Sequence, residues 1–138
     1  MALFQADVAR SVDFGPMTVG RVLRALDRVQ RPFTAEDAKT VFCAAELQSL
    51  GMTVAAAAEL LGEFSSELQF VLKTPANRCW IVSLVTAKGG HSRLTCHTMH
   101  HLEGLLDAHP FASVLPLHEI VSRATERFKR LEAAKEAA

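Results

Sequence analysis

The sequence predicts one α+β domain, with helices first, a three-stranded antiparallel meander behind them, and further helices at the C-terminal end. Three observations carry this prediction. Two apolar-striped helical segments within 33–64 fold about a Leu50-Gly51-Met52-Thr53 corner, the run 79–87 is apolar and β-branched, and apolar residues step by four and three from Leu117. At 138 residues the chain is the size of one domain with room for a sizeable core.

The corner is the best-marked element. Thr34-Ala35-Glu36-Asp37 has the spacing of a capping box, in which a hydroxyl and a carboxylate three residues on satisfy orphan N–H groups. Ala38, Val41, Phe42 and Ala45 then recur at helical spacing, with Glu36, Lys39 and Gln48 towards the wet side. Gly51 suits the left-handed position that ends a helix, and Thr53 caps the next. That second helix, 54–64, has Val54, Ala57, Ala58, Leu61 and Phe64 as its buried stripe. Together they make an αα unit of the helix-turn-helix kind.

Upstream, 1–17 is expected to be a short arm ending just after Gly15-Pro16. Residues 18–30 are expected to form a helix with Val19, Val22, Leu23, Leu26 and Val29 on one face, stopped by Pro32. On its other side Arg21, Arg24 and Arg28 align at i, i+3 and i+7, and Arg31 extends the row. The stripe is either a solvated face pairing with Asp27 and the acidic helix pair, or a surface for phosphates or an acidic partner.

Downstream, Leu68, Phe70 and Leu72 alternate with Gln69, Val71 and Lys73, the pattern of a half-buried strand, and Thr74-Pro75-Ala76-Asn77 is turn chemistry. The run 79–87 is then the central strand, Gly89-Gly90 the hairpin turn, and 92–99 the returning strand. A short helix over 100–109 is closed by Pro110, and Pro116 opens the last helix, from 117 to about 134. Its Leu117, Val121, Ala124, Phe128 and Leu131 form a heptad seam that either docks on the domain or pairs in a homodimer. The Ala-rich end beyond it is expected to fray.

A resemblance enters at these residues. The run PFTAEDAKTVFCAAELQSLGMTVAAAAELL is similar to the helical pair that follows the DNA-reading helices of MerR-type regulators, at Phe33, Thr34, Asp37, Leu47, Leu50, Gly51, Thr53 and Leu61. The stretch RVLRALDRVQRPFTAEDA resembles the opening two helices of winged-helix domains. Three helices followed by a hairpin with a basic, glycine-containing tip have the same outline. The resemblance implies a winged-helix-like domain over 18–116, a dimerising helix over 117–138, and a non-enzymatic, transcription-regulator-like function. Contacts to the phosphate backbone of DNA would then fall to Arg21, Arg24, Arg28 and Arg31, and to Lys88, His91 and Arg93 where a wing meets DNA.

The alternative is a protein-binding adaptor or inhibitor that keeps the helical frame without DNA contacts. The second helix opens Thr53-Val54-Ala55-Ala56-Ala57-Ala58-Glu59, and lacks the Arg, Lys, Asn and Gln side chains that read base edges. Its Ala-lined surface suits close helix contact instead. Lys plus Arg and Asp plus Glu are 15 each, less basic than a protein that holds nucleic acid mainly through phosphates. The charge is nevertheless uneven. Residues 32–72 carry six carboxylates against one Lys, and 73–101 carry four bases and no acid, a split that can steer a partner.

Chemistry of other kinds finds little support. Cys79, Cys96, His97, His100 and His101 look like metal ligands on paper. A turn at Gly89-Gly90, however, sets Cys96 opposite Ser83 and Cys79 opposite His100, parting the two thiols by about 13 Å. An earlier helix start would instead put His97 with His101, and Cys96 with His100, at i, i+4. No CxxC or HExxH is present, nor GxGxxG or GxxxxGK[ST], so neither a metal nor a cofactor is expected, and no enzyme. Glu36-Asp37 suits a helix N-terminus. Three Cys without paired spacing argue for a reducing compartment, the start does not look like a signal peptide, and no apolar run is membrane-long. The expected location is the cytoplasm.

Overall fold

In the computed structural model of the protein, which describes residues 5–27 and 33–137, one helix is buried almost all round. Helix α3 (Ala35–Ser49) hides every residue from Asp37 to Leu47 except Lys39, which is half-buried. The expected stripe is inside, and neighbouring elements cover the other sides as well. Its capping box forms as the sequence predicts. The Asp37 N–H donates to Thr34 Oγ1 at 3.1 Å and the Thr34 N–H donates to Asp37 Oδ2 at 2.8 Å. A cap of this type contributes about 1 kcal/mol.

The other end of α3 closes on Gly51 at φ 104°, a conformation that L side chains avoid. The Met52 N–H reaches Leu47 O at 3.2 Å and the Gly51 N–H reaches Gln48 O at 3.0 Å, the bond pair of a Schellman motif. Thr53 Oγ1 then accepts from the Ala56 N–H at 3.1 Å and starts α4 (Val54–Glu63). Packed on α3 are α1 (Gln5–Ser11), α2 (Pro16–Ala25), α4 and, most extensively, α7 (Leu117–Ala137). Helices α2 and α4 cross closely at Gly62, where a Cβ would come within 2.4 Å of Ala25 O.

Strand β1 (Trp80–Val85) lies between β2 (His91–Cys96) and β3 (Ser113–Pro116), antiparallel to both. Helix α6 (Met99–Ala108) connects the two edge strands. On one face Cys79, Ile81 and Leu115 join the helical core. On the other Trp80, Val82 and Cys96 form a second core with Leu102, Leu105 and Leu106 of α6. The layers are therefore helices, sheet and a single helix.

The α+β class holds, while the finer layout differs in several ways. Five helices, not three, precede the sheet among the described residues. Of the expected arm, the described residues 5–17 are packed on the domain, because α1 and the turn after it place Val8, Ala9 and Phe14 in the core. Residues 65–73, expected to hold a strand, form α5 (Ser65–Lys73). Leu68 and Val71 are fully buried, and with Phe64 they follow helical spacing, which outcompetes the alternation of 68, 70 and 72. The third strand is instead β3, so the sheet is no meander. Pro116 is tolerated there because β3 is an edge. Finally, α7 does not end near 134: it continues to Ala137, and Lys135 Nζ lies 2.6 Å from Asp7 Oδ2 of α1.

The hairpin is present with a different register. Thr86 N–H donates to Gly90 O at 2.7 Å and Gly89 N–H to Thr86 O at 2.9 Å, which closes a loop of Ala87, Lys88 and Gly89. Gly89 takes the positive φ that such a three-residue loop requires. Cys96 consequently pairs with Trp80 and Arg93 with Ser83.

Candidate functional site

An apolar gap opens as a wedge between the α3–α4 corner and the sheet. Along the helix-facing side of β1 and the residue before it, Cys79 and Ile81 are buried, Ser83 is half-buried and Val85 is exposed. The sheet thus parts from the helices towards the hairpin end. The gap has a volume of about 440 Å³. Its helical wall is Leu47, Leu50, Met52 and Leu60, and its sheet wall includes Ile81 and Leu115. The Schellman turn builds this wall, since it brings Met52 back over Leu47. Leu50 is 58 % exposed on the rim, and Val114 of β3, also exposed, borders the gap from the sheet edge.

Polar groups sit on the sheet side. Ser83, Ser113 and Arg93 line the wedge, and Arg93 Nη1 bonds Glu63 Oε2 at 2.8 Å across to α4. Both side chains of that pair are well exposed, so the bridge adds little stability. The neighbouring edge is open as well. Leu117 N–H donates to Cys79 O at 2.9 Å. By antiparallel alternation Leu115 and Ser113 then bond β1, while Val114 turns its N–H and C=O outward. Pro116 has no N–H to offer. Among the described residues no strand pairs on that side of β3. Phe111, two residues before β3, is 93 % exposed.

The basic residues picked from the sequence are not gathered into one surface. Arg21 and Arg24 are exposed on α2, which packs on α1, α3 and α4. Arg28 and Arg31 lie outside the described residues, as does Val29. Lys88 and His91 are exposed on the hairpin, and Arg93 is tied to Glu63. The outer face of α4 presents Ala55, Ala56, Glu59 and Glu63. The heptad seam faces inward. Leu117, Val121 and Ala124 are core residues, and Phe128 and Leu131 pack against the core.

The thiols are structural. Burial, helped by Glu46, pushes Cys43 up to about 12. Burial, then Glu67 and Cys96, pushes Cys79 up to about 11, and burial raises Cys96. Such thiols stay protonated and are poor nucleophiles. The observed register brings Cys96 diagonally next to Cys79, correcting the expected separation, but the two serve opposite faces of the sheet. Helix α6 starts at Met99, with Thr98 as its cap, so the earlier start that would align His97 with His101 does not occur. His97 Nδ1 lies 3.0 Å from Arg78 O, its ring stacks edge-on against Phe70, and His100 and His101 are exposed. Among the described residues no group of three His, Cys, Asp or Glu is placed to hold a metal.

The wedge itself escaped the sequence reading. One signal was present: Leu50 and Met52 set two large apolar side chains on either side of the turn glycine. Among the described residues no helix is long and apolar enough to cross a membrane. Comparison with protein-family models and with curated proteins found no match to this chain.

Proposed function

We propose that the chain is a non-enzymatic regulatory protein that acts by holding an extended segment of another protein in the wedge and along β3. The observation that carries this reading is the wedge, an apolar gap continuous with an open strand edge. A partner strand pairs with Val114 through backbone bonds and drops alternate side chains between Leu50, Leu60 and Ile81, the mode called β-augmentation. The matching segment carries a large aliphatic or aromatic anchor, with an acidic residue near it for Arg93 and the two serine hydroxyls. Arg93 uses Nη1 for Glu63, and a guanidinium has further donors for a second carboxylate. Panning a random linear peptide library against the intact chain tests it. The expected winners pair an apolar anchor with Asp or Glu and lose binding to the surface variants Leu50→Glu and Val114→Lys. Winners indifferent to both variants, or no enrichment, would end this reading.

A second reading is the winged-helix-like regulator that binds the DNA phosphate backbone. What favours it is the exposure of Arg21, Arg24, Lys88 and His91. Against it stand the neutral charge, the carboxylates on α4 and the Arg93–Glu63 pair. A gel shift on mixed-sequence DNA decides: retardation at low salt that is lost on adding salt, and weakened by Arg21→Ala with Arg24→Ala, supports DNA binding. No retardation at low salt removes it. The homodimer proposed from the sequence has no free seam to use, so self-association would need another surface, such as the β3 edge.

A further inference from the structure

We infer that the cleft between α5 and α7 is a binding site for a small phosphoryl anion, an inference that does not depend on the protein-binding reading. One position along from the buried seam, α7 carries His118, Ser122, Thr125 and Lys129, spaced 4, 3 and 4. That stagger keeps them on one face of the helix. All four line a cleft of about 200 Å³, enough for a phosphate and several further atoms. Lys39 of α3 closes the cleft from across, so cationic groups come to it from two helices.

Contacts within the fold place Lys39, Lys129 and His118. The Lys39 ammonium sits 5.2 Å from the centroid of the Phe128 ring, a cation–π contact that holds it in place without neutralising it. Lys129 Nζ is 3.9 Å from Glu126 Oε1, too long for a hydrogen bond, and its exposed stem leaves it able to turn inward. His118 Nδ1 lies 3.1 Å from both the N and the O of Cys79, which uses that nitrogen and leaves Nε2 on the opposite edge of the ring. Ser122 and Thr125 add two hydroxyls. Against two ammoniums, two hydroxyls and an imidazole stands one carboxylate, Glu126. This donor excess selects an oxyanion over a cation. Val71, Leu72 and Val121 form an apolar wall beside the donors, which suits the carbon part of a phosphate monoester.

The test is an amide NMR titration of the full chain with sodium phosphate and, separately, glycerol 3-phosphate, at constant pH and with ionic strength held by sodium chloride. The expected result is saturable shifts at Lys39, Ser122 and Thr125. Lys39→Gln and Lys129→Gln should each weaken binding by about tenfold, the size of one lost charged hydrogen bond. Lys39→Arg should retain it, and Glu126→Gln should tighten it by about threefold, a gain that damage to the fold does not produce. Tighter binding of glycerol 3-phosphate than of phosphate would identify a monoester as the ligand class, and equal binding the free ion. Shifts that are linear and match those from chloride, or binding unchanged in both glutamine variants, would overturn the inference.

Discussion

Arg127 of α7 meets Glu46 of α3, Nε to Oε1 at 2.7 Å, within the most extensive helix contact of the fold. Glu46 is buried, so removing the arginine leaves a carboxylate without its cation in a poorly hydrated place. Arg127→Ala should lower the unfolding free energy by about 1–3 kcal/mol in urea titrations. A double-mutant cycle with Glu46→Gln should return a coupling of about 1 kcal/mol, and additive effects would mean that the bridge does not lock α7 to α3.

Gly62 and Gly104 make a matched pair. A methyl group at 62 collides with the backbone of Ala25, whereas nothing lies within 4 Å of the same group at 104. Gly62→Ala should therefore cost about 1–3 kcal/mol through forced separation of α2 and α4. Gly104→Ala, inside an exposed stretch of α6, should stabilise by about 0.5–1 kcal/mol. Equal effects of the two substitutions would contradict the close crossing.

The seam on α7 gives a sharp alternative between docking and dimerisation. Val121 is in the core, so Val121→Glu buries a charge within the monomer. The expected outcome is loss of cooperative unfolding at every protein concentration. A folded protein that merely drops in oligomeric size by light scattering would mean that the seam pairs two chains.

Cys43 makes stability depend on alkaline pH. Its thiol ionises near 9.0 in the unfolded chain but is held up to about 12 when folded, first by burial and then by Glu46. Between those values the unfolded state binds fewer protons, so this contribution, complete below about pH 9, falls as pH rises. From about pH 8 to about pH 10 the wild type should lose about 1 kcal/mol more stability than Cys43→Ala. Parallel pH profiles would show that Cys43 is not shielded as described.

Local chemistry made the α3–α4 unit legible in advance. Thr34 with Asp37, Gly51 and Thr53 each act within four residues, and each does what its type and spacing predict. Elements that depend on distant partners were not legible. Phe64, Leu68 and Val71 fit a helix, 68, 70 and 72 fit a strand, and packing of α5 on α7 decides between them. Strand β3 has four residues and a proline, and exists because Ile81 and Ser83 have backbone groups to satisfy on that side of β1. The hairpin register turned on which glycine takes the positive φ, Gly89 in a three-residue loop. The wedge was hidden for the same reason as β3, since its walls come from distant parts of the chain, Leu47 to Leu60 and Ile81 to Leu115, and meet only when the sheet is in place.

The most direct measurement is methyl NMR of the isotope-labelled chain on titration with a peptide enriched by panning. If the wedge is the docking site, the shifted methyl signals are those of Leu47, Leu50, Leu60, Ile81 and Leu115, the Val114 amide shifts with them, and Leu50→Glu abolishes the response. Shifts confined to the α2 arginine face or to the cleft between α5 and α7, with the wedge methyls unmoved, would contradict the proposed function.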